Sequence, residues 1–252
     1  MPVGSRIVPR GAVVAVRIAW TVASLVVVQT LVCGAAAAPA VLVWQWVIPV
    51  AGSNPRWQWA VLSIAIVPSY VLFALSLMIV SPLAMRLLRW RTPPDAHMRI
   101  ADMDWALLRW VRYGASMHLV RVIAGTWLRG TPLWTFHLRL SGARLGRRVY
   151  VNSLSVSDYN LLEFGDDVVI GGDVHLSGHT VEAGVLKTAR VRIGDNVTIG
   201  AGSVIEIGVE IGSDAQVGAL SVVPKHVTLE GGRVYVGIPA VPLRSARTGG
   251  EP

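Results

Sequence analysis

Ser177-Gly178-His179-Thr180-Val181-Glu182-Ala183-Gly184-Val185-Leu186-Lys187-Thr188 holds the residues best suited to chemistry in this chain. An imidazole near neutral pKa can take the proton from an amine or hydroxyl that attacks an activated acyl group. His179 is therefore the candidate general base, with Glu182 as the carboxylate that could orient it. Lys187 could meet a phosphate or carboxylate of a substrate. Asn152 and Asp158, in the stretch after Tyr150, are further candidates for substrate binding. His175 and His179 form an H-x-x-x-H pair, but with no clear third ligand, no metal site is expected.

What must position these groups is legible on both sides of the segment. Ile193, Ile199, Ile205, Ile211, Val217 and Val223 form an apolar ladder of period six, with Gly194, Gly200, Gly212 and Gly218 directly after four of its rungs. Neither a helix nor a plain alternating strand has that period. It marks hexapeptide repeats, each hexad forming one flat face of a parallel β-helix. Backward, the ladder runs through Leu176, Ile170 and Phe164, with Val151 and Leu145 as an earlier pair. The step from 151 to 164 is one residue too long for the period, which predicts a bulged corner. The step from 176 to 193 is five too long, which predicts that 177–190 is extruded from the coil. Three hexads per coil give about five coils over 140–228. A regular coil offers little concavity, so an extruded loop on a rigid scaffold is where function is expected.

The first half of the chain is of another kind. Residues 1–140 hold 13 Lys+Arg against 3 Asp+Glu, and all 10 Trp. Beside long apolar runs this is the pattern of a membrane–water interface; no basic-aromatic nucleic-acid module is present, and nucleic acid is not expected as a partner. Residues 12–33, apolar apart from Arg17, and 57–80 are each long enough to span a bilayer. Between them, 34–56 could extend the first helix, dip into the interface or form a re-entrant piece. A signal peptide would use Arg6 and Arg10 as its basic start and Ala35–Ala38 as its cleavage site, but the apolar core is longer than such segments require. Arg6, Arg10 and Arg17 precede the spans, Arg86, Arg89, Arg91 and Arg99 follow them, and only Arg56 lies between. The positive-inside rule then puts both termini and the repeat domain on the cytoplasmic side of an inner membrane, in contact with lipid. A helix is expected from Asp102 to about Leu128, capped by Asp102 or Asp104, lying on the interface and interrupted near Gly114. The expected division is a membrane domain over 1–92, an interfacial linker over 93–138, the β-helix over 139–243 and a flexible tail over 244–252. Cys33 is the single cysteine, so no internal disulfide can form.

Asn196-Val197-Thr198-Ile199-Gly200-Ala201-Gly202-Ser203-Val204-Ile205 and Gly218-Ala219-Leu220-Ser221-Val222-Val223-Pro224-Lys225 resemble the closing coils of hexapeptide acyltransferases. Gly237-Ile238-Pro239-Ala240 resembles the G-[IN]-P-A segment that often lies near coenzyme A in that family, although Val241 stands where a Lys is common. The resemblance implies a left-handed β-helix, a homotrimer with sites between subunits, and Gly237, Pro239 and Ala240 as cofactor-binding residues. A longer resemblance carries through Gly130-Thr131-Pro132-Leu133, Leu138 to Tyr150, Gly165-Asp166-Asp167 and the His179…Glu182…Lys187 segment. These are similar to the C-terminal membrane region of ε-poly-lysine-synthetase-type nonribosomal peptide synthetases, in which three such units follow one another. That implies aminoacyl transfer to an amine, with a carrier-protein phosphopantetheine thioester as donor and an adenylation–carrier synthetase as partner. Asn152, Ser155, Asn160 and the Ala183-Gly184 pair depart from that pattern, which leaves the acceptor open. Two other readings remain beside it: an acetyl-coenzyme A-dependent O-acetyltransferase of a glycan or lipid, and a non-catalytic trimeric scaffold.

Overall fold

The computed structural model describes residues 10–243; Arg6 and the tail 244–252 lie outside the described residues. The chain divides into two compact units. One holds the described residues up to Arg91 together with Met98–Ala124, and the other holds Thr92–His97 and the residues from Gly125 onward. The 93–138 segment, expected as a linker, is thus shared between the two units.

The first unit is helical. Helix α1 spans Arg10–Ala51 and passes through Pro39 and Pro49, so residues 34–51 extend the first helix. Helix α2 spans Pro55–Leu87; Pro55 starts it, and the Asn54 carboxamide caps it by accepting from the backbone N–H of Arg56 and Trp57. Small residues let the two approach: Ala36, Ala40, Ala51, Ala65 and Ala74 are buried. Val16, Trp20, Leu31, Leu42, Trp46, Ile64 and Val67 face outward instead. Both helices are long and apolar enough to cross a membrane.

Helix α3 (Trp105–Val120) starts where the Asp104 carboxylate accepts the Leu107 N–H at 2.7 Å. Gly114 does not interrupt it; the helix widens only afterwards, into a π-turn at Arg121–Gly125. It runs parallel to α1, as three contacts in order show. Arg17 donates to the Asp102 carbonyl at 3.4 Å, Arg112 Nε to Ser24 Oγ at 2.9 Å, and Gln29 Nε2 to Ser116 Oγ at 2.6 Å. Arg112 is consequently buried against α1, where a helix lying alone on an interface would expose it.

The second unit opens with the one-turn helix α4 (Thr126–Leu128) and helix α5 (Pro132–Leu140), then coils as a left-handed parallel β-helix. The first face stacks strands at Arg144–Leu145, Leu162–Phe164, Val191–Ile193, Glu210–Ile211 and Thr228–Leu229. The second stacks Tyr150–Val151, Val169–Ile170, Thr198–Ile199, Gln216–Val217 and Val234–Val236, and Val241–Pro242 closes it antiparallel. The third stacks His175–Leu176, Val204–Ile205 and Val222–Val223, with Val156 bridging to Leu176. All six rungs from Ile193 to Val223 are at most 3% exposed. Each buried side chain of this size contributes roughly 1.5–3 kcal/mol. Because strand side chains alternate, the positions two before the rungs also point inward: Val197, Ser203, Val209, Ala215 and Ser221 are fully buried. Corners turn at a column of left-handed residues, Asp167, Asn196 and Asp214, a conformation Asn and Asp tolerate better than most.

The structure corrects the arithmetic of the excursion. Thr198 pairs with Gln216, 18 residues on, but with Val169, 29 residues back. The next face follows Leu176 directly, so the step from 176 to 193 is one hexad plus an insertion of eleven residues and not two hexads plus five. The excess between Val151 and Phe164 is absorbed by a 3₁₀ turn at Tyr159–Leu161.

Candidate functional site

The extruded segment is a β-hairpin in place of an irregular loop. His179–Glu182 pairs antiparallel with Val185–Thr188, in the register His179↔Thr188 to Glu182↔Val185. Its two turn residues, Ala183 and Gly184, have φ of 46° and 73°. Both are positive, as a two-residue turn matched to strand twist requires. The base of the hairpin is fastened by a strap of chain at Thr92–Ala96. Thr188 N–H donates to the Ala96 carbonyl at 2.9 Å, Thr188 Oγ1 to the Pro93 carbonyl at 2.6 Å, and Ala96 N–H to Thr188 Oγ1 at 3.0 Å.

The same strap holds a carboxylate. Thr92 Oγ1, fully buried, donates to Asp158 Oδ1 at 2.7 Å. The Asn160 carboxamide clamps Thr92 by accepting its N–H at 3.2 Å and donating to its carbonyl at 2.9 Å. Asp158 itself is left-handed at φ 51° and its side chain is 3% exposed. Its second oxygen lies 2.5 Å from His179 Nδ1. A carboxylate can only accept, so Nδ1 carries the proton and the neutral ring presents its lone pair at Nε2. Ser177 Oγ accepts the His179 N–H at 3.2 Å, lies 3.1 Å from Nδ1, and takes a bond from Ser157 Oγ at 3.0 Å. Burial pulls the His179 pKa down, but the hydrogen bond to Asp158 and that carboxylate's charge outweigh it, and the net direction is upward. The ring lines a cleft of about 110 Å³ formed with His175, Ser177, Thr180, Val204, Ile205, Glu206 and Ile207.

The expected residues are therefore distributed unevenly. His179 is in the cleft, and the carboxylate bonded to it is that of Asp158, a residue expected at substrate binding. Glu182 points elsewhere: it pairs with Lys187 Nζ at 2.8 Å and with Lys225 Nζ, and these two lysines hold its pKa down at about 2. Lys187 is accordingly engaged in an ion pair with Glu182. Lys225, 3.9 Å from Glu206, is a neighbour that sequence reading missed. Asn152 lies at the end of the Tyr150–Val151 strand, its main-chain N–H on the Ile170 carbonyl, and is not among the residues lining the cleft. Gly237 (φ 97°) and Ala240 bracket a turn seated on the third face. Gly237 N–H donates to Ser221 Oγ at 3.1 Å, Val222 N–H to the Gly237 carbonyl at 3.0 Å, and Ala240 N–H to the Val222 carbonyl at 2.8 Å; Pro239 lies inside the turn after a cis peptide bond. His175, Val204 and Val222 are partners across successive coils, so this turn lies along the same face as the cleft, about 14 Å from His175 at three strand spacings.

Within the coil, residues 190–223 match the family described as the hexapeptide repeat of succinyl-transferase. The chain is similar to δ-poly-L-ornithine synthetase of Acinetobacter baumannii (strain AB307-0294), with 27% identity over 163 residues. That match takes in 64% of this chain and 12% of the synthetase, so the chain spans a small part of that relative's length. Among solved structures it resembles a hexapeptide-repeat containing acetyltransferase from Vibrio cholerae, with 28% identity, TM-score 0.38, and coverage of 42% of this chain and 64% of that one. It also resembles a galactoside acetyltransferase in complex with coenzyme A, with 25% identity, TM-score 0.37, and coverage of 44% and 69%.

Proposed function

We propose that this chain is a membrane-anchored acyl or aminoacyl transferase in which His179 is the general base and Asp158 orients it. The observation that carries the reading is the 2.5 Å contact between His179 Nδ1 and a buried, strapped carboxylate at the edge of the cleft. In the reaction, Nε2 accepts the proton of an amine or hydroxyl as that group attacks a thioester carbonyl. Asp158 stabilises the imidazolium, and collapse of the tetrahedral adduct expels the thiol, which takes the proton back. An amide or ester forms and a thioester is consumed. The donor is a phosphopantetheine thioester, on a carrier protein or on coenzyme A. The likeness to a δ-poly-L-ornithine synthetase favours an amino acid as the transferred group, and the resemblance of the His179…Glu182…Lys187 segment to the peptide synthetases favours a carrier-bound donor with an adenylation–carrier synthetase as partner. The turn at Gly237–Ala240 favours the second reading, acetyl-coenzyme A-dependent O-acetylation, because it would place a cofactor along the face that leads to His179.

A cleft of about 110 Å³ is small against the ~300–1,000 Å³ of ordinary ligand sites, which supports a site completed by a neighbouring copy in a homotrimer. The membrane anchor is supported by the outward apolar side chains of α1 and α2, whose most apolar windows are only 17% and 28% buried. Arg86, Arg89 and Arg91 at the end of α2, against Arg56 alone at its start, support a cytoplasmic repeat domain.

The test is turnover of carrier-bound aminoacyl and acetyl-coenzyme A donors by wild type, His179→Ala and His175→Ala. His179→Ala is expected to lose roughly 10²–10⁴-fold in rate. His175 is exposed but lines the same cleft, and without a buried carboxylate to orient it its variant is expected to lose less than His179→Ala. Full activity in His179→Ala would refute the assignment, and no turnover by any form would leave a scaffold role.

A further inference from the structure

The groove between α1 and α3 carries two arginines that make no ion pair among the described residues. Arg112 is 5% exposed, bonded through Nε to Ser24 Oγ, and its guanidinium lies 5.6 Å from the ring centre of Trp90 and 5.7 Å from that of Trp105. One of its terminal nitrogens, Nη2, is buried without a hydrogen-bond partner. Arg17 lies over the same Trp105 ring at 5.8 Å and, among the described residues, donates to the carbonyls of Asp102 and Met103. An uncompensated guanidinium with an unmet donor among helices is costly to keep. Its planar fork suits the oxygens of a phosphate, and basic pockets between membrane helices are where anionic head groups lodge.

One turn further along the same two helices the groove changes character. Beyond the Gln29–Ser116 bond it opens to about 580 Å³, lined by Gln29, Thr30, Cys33, Ala115, His118 and Leu119. Cationic head and largely apolar channel are thus adjacent along two parallel helices. We propose that this groove binds an anionic phospholipid, with the phosphate on Arg112 and Arg17 and one acyl chain along Thr30–Cys33 and Ala115–Leu119. The inference rests on the membrane-anchored reading, and its test separates the two.

Cys33, the single cysteine, lies in the channel and reports its occupancy directly. The full chain in detergent is labelled with a small thiol reagent while phosphatidylglycerol, phosphatidylcholine of the same chains, or inorganic phosphate is titrated in. Phosphatidylglycerol is expected to protect Cys33 at concentrations about tenfold below phosphatidylcholine, the worth of one charge-assisted contact. Inorganic phosphate alone should not protect. Arg112→Gln should erase the preference, and Arg17→Gln, at a less buried position, should erase or reduce it if the first variant does not fold. Equal protection by both lipids, protection by inorganic phosphate, or an unchanged preference in both variants would overturn the proposal. Release of the chain by carbonate from membranes would refute the anchor, whereas a membrane-retained chain without lipid preference would refute only the site.

Discussion

Asp158→Asn removes one charge and, if the site works as proposed, reverses the hydrogen bond on which the base depends. Thr92 Oγ1 donates to Asp158 Oδ1, so the new amide must keep its oxygen at that position. Its NH₂ group then occupies the place of Oδ2, 2.5 Å from His179 Nδ1, and donates where the carboxylate accepted. Nδ1 must surrender its proton, the ring takes the Nε2–H tautomer, and no lone pair faces the acceptor. With loss of the imidazolium's counter-charge added, turnover should fall by about 10²–10⁴-fold. The fold should survive, because the Thr92 bond is retained; Asp158→Ala, which strands that buried hydroxyl, should cost about 1–3 kcal/mol. Stability carries a second signature. The upward-shifted His179 contributes stability fully present below the unfolded imidazole pKa of about 6.5 and lost as pH rises through the higher folded value. Thermal melts of wild type between pH 6 and 9 should show that loss, and Asp158→Asn should not. Thioester turnover across the same pH range, measured beside the melts, is the assay. Wild-type turnover in Asp158→Asn with an unshifted pH profile would refute the reasoning.

Gly171→Ala should destabilise the coil by about 1–3 kcal/mol in thermal melts. A Cβ there would sit 2.7 Å from Ala201 N and 2.8 Å from Ile199 O, both backbone atoms that cannot swing away. Glu182, held down at about 2 from 4.5 by Lys187 and Lys225, contributes stability present above pH 4.5 and lost as pH falls towards 2. Acid melts should therefore be steeper for wild type than for Glu182→Gln at low salt, and the gap should close at high salt because the group is exposed. Carbonate washing of membranes should leave the chain in the pellet; its release intact would refute the anchoring of α1 and α2.

The coil was legible because its code is local: every rung from Ile193 to Val223 needs only a period of six, and every rung is buried. The two apolar helices were legible for the same reason; for α3 the sequence left the cap between Asp102 and Asp104 and set the end too late, because the π-turn at Arg121–Gly125 has no local signal. The site was half legible. His179 stands out as the one imidazole in an excursion from the period, but its partner is 21 residues away and comes within reach only once the coil closes. The one-residue excess between Val151 and Phe164 was the available signal for Asp158, since it marks the irregular corner where that residue sits. Glu182 was attractive by proximity in sequence, yet residues three apart on a β-strand point to opposite faces, and Glu182 met Lys225 from another coil. Nothing local could announce the strap at Thr92–Ala96, whose contacts reach residues 66 to 95 positions further along.

That strap makes the repeat unit discontinuous in the chain. Thr92–His97 belongs with the coil, yet Met98–Ala124 leaves it for the helical unit before the chain returns at Gly125. A fragment cut at residue 139, where the period begins, would retain every rung of the coil. It would nonetheless lack Thr92, which holds the carboxylate, and the carbonyls that fasten Thr188. If the site works as proposed, the capacity for chemistry would therefore not travel with the repeat. Any exchange of this coil between proteins, in the laboratory or by recombination in a genome, would have to carry the helical excursion along, or resupply six residues from somewhere else, to hand on more than a scaffold.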